Sequence, residues 1–147
     1  MTTSATTSKL TESTPTGPPG SRPTQDRRSA LGRAGEQLAA RHLVSRGMTL
    51  LAENWRCREG EIDLVLVDDH DLVICEVKTR RTESFGDPLE AITVAKVRRL
   101  RQLAAIYVRT EGPLPGHRID GLRIDAVGIL WPRDERPRLR YVRGVGS

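Results

Sequence analysis

Glu61-Ile62-Asp63-Leu64-Val65-Leu66-Val67, then Asp68-Asp69-His70-Asp71, then Leu72-Val73-Ile74-Cys75-Glu76-Val77-Lys78, is the stretch that decides the fold. Its flanks are β-branched and apolar and its middle is polar, the pattern of two strands joined by a tight turn. A short even-length turn centred on Asp69 and His70 sets the register. Val67 then faces Leu72, Val65 faces Ile74, Asp63 faces Glu76 and Glu61 faces Lys78. Directly opposed side chains of an antiparallel pair have Cβ atoms only ~5 Å apart. Glu76 and Lys78 share a face through the period of two. Two carboxylates and an ammonium are therefore expected to meet at one end of a sheet.

Like charges facing each other across two strands weaken the pairing, so a positive group should sit between Asp63 and Glu76. Lys78 is one candidate and a divalent cation, Mg²⁺ or Mn²⁺, is the other. Mg²⁺ binds through one or two carboxylates, retained waters and often a phosphate. A cation there can polarise a phosphate oxygen and acidify a water, while the Lys78 ammonium holds the attacking water or offsets charge on phosphorus. The chemistry that fits is phosphodiester hydrolysis.

Gly60-Glu61-Ile62-Asp63-Leu64 followed by Glu76-Val77-Lys78-Thr79-Arg80 resembles the signature of the YraN-like family of bacterial proteins. That family falls in the PD-(D/E)xK nuclease superfamily and is similar to archaeal Holliday-junction resolvases. The resemblance begins at Gly32-Arg33-Ala34-Gly35-Glu36, runs through Gly47 and Asn54-Trp55-Arg56, and continues past Phe85-Gly86 to Lys96 and Arg123-Ile124-Asp125. It implies a restriction-endonuclease-like fold, with Asp63 and Glu76 as metal ligands and the Val77 carbonyl as a further one. It also implies that Lys78 positions the reacting groups, and that Glu36, matching a first-helix glutamate of resolvase-like members, reaches the metal from the side. Resolvase-like relatives act as dimers on branched DNA, which makes DNA the favoured partner over RNA and a homodimer an expectation.

A chain of 147 residues with a formal net charge of +5 fits one domain and an anionic partner such as nucleic acid. Cys57 and Cys75 have neither Cys-x-x-Cys spacing nor a paired histidine, so no zinc site or disulfide scaffold is indicated. His42, His70 and His117 are scattered and enter no mechanism. No charged-then-apolar leader opens the chain and no apolar run approaches a membrane span, so a cytoplasmic protein is expected.

Residues 1–29 are dominated by Ser, Thr, Pro and Gly and are expected to form a disordered tail, leaving a single nuclease-like domain over 30–147. Residues 31–46 read as a helix ending at Gly47. On its wheel Glu36 lies with Ala40, Leu43 and Gly47, where its carboxylate needs a partner. That partner is Arg33, Arg41 or another cation by the wheel, and the metal site by the resemblance.

Residues 49–57 read as a first strand with Trp55 packing inward. In the hairpin, Ile62, Leu64, Leu66, Val73, Cys75 and Val77 are expected on one face, and Val65, Val67, Leu72 and Ile74 on the other. Such a two-sided apolar pattern belongs to a central strand covered by helices. Residues 79–87 form a polar loop carrying Arg80, Arg81 and Phe85, with Phe85 expected in the core. Thr93 caps a helix reaching Arg109, with Val97, Leu100, Leu103, Ala104, Tyr107 and Val108 inward. Besides Arg109, Lys96, Arg98, Arg99 and Arg101 are its basic residues, with no acid from Ala91 to Thr110 to offset them; Lys96 and Arg99 flank the buried stripe and Arg98 and Arg101 lie opposite it. With Arg80 and Arg81 they form the expected nucleic-acid-binding set, held to phosphates by counterion-releasing contacts.

Residues 122–130 and 138–142 supply a fourth strand and a short edge strand. Asp125 either orients a site residue or pairs with a nearby arginine. The order is αβββαβ around a mixed central sheet, an α/β fold. Three readings follow: a metal-dependent endonuclease, a nucleic-acid-binding module without cleavage, and a protein-interaction domain in which Asp63, Glu76, Lys78 and Glu61 are an internal ion network.

Overall fold

Asp68 pairs with Asp71, so Asp69 and His70 alone make the central turn, and Asp69 takes a left-handed φ of 55°. Aspartate tolerates that region because its side chain is short and polar. In this computed structural model, which describes residues 22–84, 86–112 and 114–146 and only the backbone over 22–29, the turn joins β2 (Gly60–Asp68) to β3 (Asp71–Arg80). The expected register holds: Val67 pairs with Leu72 and Val65 with Ile74.

Strands β1 (Thr49–Cys57), β4 (Gly121–Leu130) and β5 (Arg138–Val142) complete one sheet in the order β1-β2-β3-β4-β5. β3 and β4 run parallel and the other pairs antiparallel. Helix α1 (Arg22–Ser45) packs Ala39, Ala40 and Leu43 on Leu64, Leu66, Val73 and Cys75. Helix α2 (Val94–Glu111) packs Val97, Leu100, Leu103, Ala104 and Tyr107 on Val65, Leu72 and Ile74 of the opposite face. The result is the expected α/β fold, a mixed central sheet flanked by helices in the restriction-endonuclease-like arrangement.

Thr93 caps α2, its hydroxyl accepting the Lys96 N–H at 3.1 Å. α1 begins at Arg22 rather than Leu31, so of the expected tail, residues 1–21 lie outside the described residues and 22–29 carry helical backbone. Pro23 sits in the first turn, where its missing N–H costs no hydrogen bond. Phe85 lies outside the described residues. Val108 is 47% exposed, because the buried stripe drifts away from it in the last turn of α2.

Ile62 also departs from expectation, packing with Val65 and Leu100 on the α2 side rather than with Leu64 and Leu66. The β1–β2 ladder slips between Leu50 and Ala52, Asn54 adopts φ 49°, and β2–β3 pairing ends at Leu64 and Cys75. Strict alternation is therefore lost at Asp63.

At the far end of the sheet Arg123 bonds Asp68 at 2.8 Å, Asp71 at 3.3 Å and Asp125 at 2.9 Å. Asp125 is fully buried and also accepts from the Tyr141 hydroxyl and the Gly144 N–H. The arginine-pairing alternative for Asp125 is the one observed. Asp125→Ala leaves Arg123 its bonds to Asp68 and Asp71 but removes its buried carboxylate and the acceptor of the Tyr141 hydroxyl, and is expected to lower stability by about 2 to 4 kcal/mol in urea unfolding; a loss under about 1 kcal/mol would show the network to be dispensable.

α1 approaches β3 closely enough that a Cβ on Gly35 would collide with the Thr79 hydroxyl. Gly35→Ala should cost about 1 to 3 kcal/mol by overpacking. Thr79→Ala in the same chain should return part of that loss, and full additivity of the two changes would disprove the contact.

Candidate active site

Where β2–β3 pairing ends, the Asp63 side chain takes over from the ladder: its Oδ2 accepts the Val77 N–H at 2.9 Å. In a strand the N–H and C=O of one residue point to the same side, so the Val77 carbonyl faces that edge as well. Asp63 also lies within hydrogen-bonding reach of the Glu76 carboxyl. The two carboxylates meet as expected, through side-chain reach rather than through a continued ladder, since Glu61 pairs with Arg56 of β1 rather than with Lys78.

Glu76 is 4% exposed and its Oε1 lies 3.3 Å from Lys78 Nζ and 3.6 Å from Lys96 Nζ. Lys78 comes from the same strand and Lys96 from the first turn of α2. Glu36 of α1 approaches from the third direction. Its carboxyl takes a hydrogen bond from Asn54, while its Oε2 is buried with no hydrogen-bond partner. Gly35 is what allows α1 to lie this close to β3. An open groove of about 410 Å³, lined by Gly32, Arg33, Asn54, Arg56 and Glu61, leads to Glu36.

Burial, and then repulsion from Glu76, pushes the Asp63 carboxyl up to about 7, against the opposing pull of the Val77 N–H. Burial likewise raises Glu36 above the usual carboxylate range, with repulsion from Glu61 and Glu76 adding to it and the Asn54 bond opposing. These carboxylates are under-compensated, which is the condition a bound cation relieves. Among the described residues no three His, Cys, Asp or Glu side chains group tightly enough to cage an ion by themselves. A pair of carboxylates with an orphan glutamate oxygen nearby fits Mg²⁺ or Mn²⁺, which keep waters, better than a soft-ligand metal such as Zn²⁺.

The expected basic set divides. Arg80, Arg98 and Arg101 are exposed. Arg81 donates to the Trp131 carbonyl at 3.2 Å, and Arg99 donates to the Glu59 carbonyl, bracing the β1–β2 turn. Sequence reasoning missed Asn54, whose left-handed conformation and bond to Glu36 place it at the site. Asparagine's tolerance of that conformation was the available signal.

A family model described as "Uncharacterised protein family UPF0102" matches residues 35–129, a span that holds Glu36, Asp63, Glu76, Lys78 and Lys96. The chain belongs to the UPF0102 family. It is 49% identical over 131 residues to a UPF0102 protein of Acidothermus cellulolyticus, covering 83% of this chain and 97% of that one. It is 52% identical over 119 residues to UPF0102 proteins of a Nocardioides species and of Streptomyces griseus, covering 81% and 80% of this chain and 93% and 97% of theirs. The YraN-like resemblance is thereby borne out as family membership.

Because the folded chain holds the Asp63 proton more tightly than the unfolded chain does, stability falls as pH rises from about 4, the unfolded value, to about 7, and stays reduced above. Asp63→Asn keeps an acceptor for Val77 and removes the charge. In EDTA the variant should exceed wild type in stability at pH 8 by about 1 to 3 kcal/mol, with the difference fading below about pH 4. Equal denaturation curves at pH 8 would mean that the Asp63–Glu76 repulsion is not felt.

Proposed function

We propose that the protein is a nucleic-acid-binding, divalent-cation-dependent endonuclease that hydrolyses phosphodiester bonds, DNA in preference to RNA, in the cytoplasm. The observation that carries this reading is the meeting of the Asp63 and Glu76 carboxyls beside the Lys78 ammonium at the open end of the hairpin. Asp63, Glu76, the Val77 carbonyl and Glu36 would hold Mg²⁺ or Mn²⁺. When bound, the cation supplies Lewis acidity toward a phosphoryl oxygen and lowers the pKa of a water.

The chain's own groups divide the remaining work. Lys78 spends one N–H on Glu76 and, being a third exposed, has others to orient a water or meet charge on the phosphate. Asp63 Oδ2 stays on the Val77 N–H, which orients the carboxyl and leaves Oδ1 for the cation. Arg98 on α2 and Arg80 at the end of β3 present exposed guanidinium groups to a passing phosphate backbone, while Arg101 lines a groove with Asp71 and Arg123 at the other end of the sheet. Such contacts are to the phosphate backbone, and branched DNA is the form favoured by the resemblance to resolvase-like proteins.

The test is a cleavage panel of linear, flapped and four-way DNA and matched RNA, with Mg²⁺, Mn²⁺ or EDTA. Wild type should cut in the presence of cation only, and Asp63→Ala and Lys78→Ala should each reduce the rate by about 10²-fold or more. Intact substrates across the whole panel, or variants cutting as fast as wild type, would sink the catalytic reading. Tight binding without cation-dependent cutting would leave a nucleic-acid-binding module. Loss of stability in Lys78→Met with unchanged nucleic-acid affinity would leave an internal ion network.

A further inference from the structure

Glu76 Oε1 serves two ammoniums at once, Lys78 at 3.3 Å and Lys96 at 3.6 Å. A divalent cation bound at the same carboxylate competes with both ammoniums for its single negative charge. Lys78 is held to Glu76 by the period of β3, two residues along the same strand face. Lys96 reaches in from α2 over the longer distance and its side chain is 36% exposed.

The position of Lys96 is electrostatically costly for the helix. It lies in the first turn of α2, which has no acidic residue, where the dipole favours anions and disfavours cations. Thr93 satisfies its backbone N–H, so the side chain contributes nothing to capping. The ammonium and the helix terminus together concentrate positive charge beside Glu76.

Charge accounting favours a transfer. Glu36, Asp63 and Glu76 set against Lys78 and Lys96 leave one net negative charge when all are ionised. A divalent cation turns this into one net positive charge, which a single phosphodiester cancels. We propose that Lys96 exchanges partners: it is the counter-ion of Glu76 in the free protein, and in the cation-loaded complex it moves to a non-bridging oxygen of the bound phosphate. This rests on the nuclease reading of the same site and adds to it a coupling between cation and nucleic acid, each strengthening the other through one lysine.

The test is fluorescence anisotropy with labelled linear and four-way DNA over a salt series, in Ca²⁺ and in EDTA. It compares wild type, Lys96→Met, Lys96→Gln and Lys96→Arg, each checked for native circular dichroism and melting. In Ca²⁺ the Met and Gln variants should bind roughly tenfold more weakly, with a salt slope shallower by about one, and Lys96→Arg should retain most of the affinity. In EDTA the same variants should lie within about twofold of wild type, because there Lys96 stays on Glu76. Unchanged affinity and slope in Ca²⁺ would overturn the role of Lys96 while leaving the nuclease reading intact. An equal loss in EDTA would show a fixed phosphate contact and overturn the exchange. Wild type that binds neither DNA would overturn the nucleic-acid reading, and this inference with it.

Discussion

The amide of Val77 is where the structure commits itself. The β2–β3 ladder stops at Leu64 and Cys75, and a buried N–H beyond it must find an acceptor or cost about 1 to 3 kcal/mol. The Asp63 carboxylate is that acceptor. Using a carboxylate rather than a carbonyl brings a charge into a half-buried position beside a second one, Glu76, and the two raise each other's cost. Lys78, Lys96 and the approach of α1 through Gly35 are arranged around that arrangement. A strand that simply continued would have paired the same amide without bringing a carboxylate to it.

The two ends of the sheet make the contrast plain. At the far end three aspartates surround Arg123, and the buried one, Asp125, adds a tyrosine hydroxyl and a backbone N–H. That is how a structural ion network looks when it is satisfied. At the near end the Glu36 Oε2 and Thr79 Oγ1 atoms are buried without partners, and Asp63 holds a proton up to about 7. Strain kept at one end and relieved at the other is the pattern expected where stability gives way to chemistry.

Local features were legible in the sequence and long-range ones were not. The two-residue turn and the alternation of Val65, Val67, Leu72 and Ile74 depend on neighbours along the chain, and the hairpin register followed from them. The Thr93 cap and the buried stripe of α2 were readable for the same reason. Ile62 was misplaced because its face depends on a slip in β1 and on Asn54, features of strand pairing that period-two counting does not contain. Arg81 and Arg99 could be read as charges but not as braces, since the carbonyls they bond, Trp131 and Glu59, lie 50 and 40 residues away. The short 3-10 helix at Pro88–Ala91, initiated by the Asp87 side chain, had no counterpart in the sequence reading.

Topology explains why a lysine of α2 reaches the carboxylates at all. Parallel β3 and β4 cannot be joined by a tight turn, so the chain must cross over one face of the sheet, and α2 is that crossover. The chain leaves β3 just past Lys78, so the crossover helix must begin near the end of the sheet where Asp63 and Glu76 meet. Its first turn is thus delivered to the site by connectivity, and its buried stripe, from Val97 to Tyr107, fixes the angle at which it lies. Lys96, one residue before that stripe, is carried to Glu76 by the same packing that closes the core. The helix that completes the fold and the ammonium that completes the charge balance are therefore one element, and neither can shift without the other.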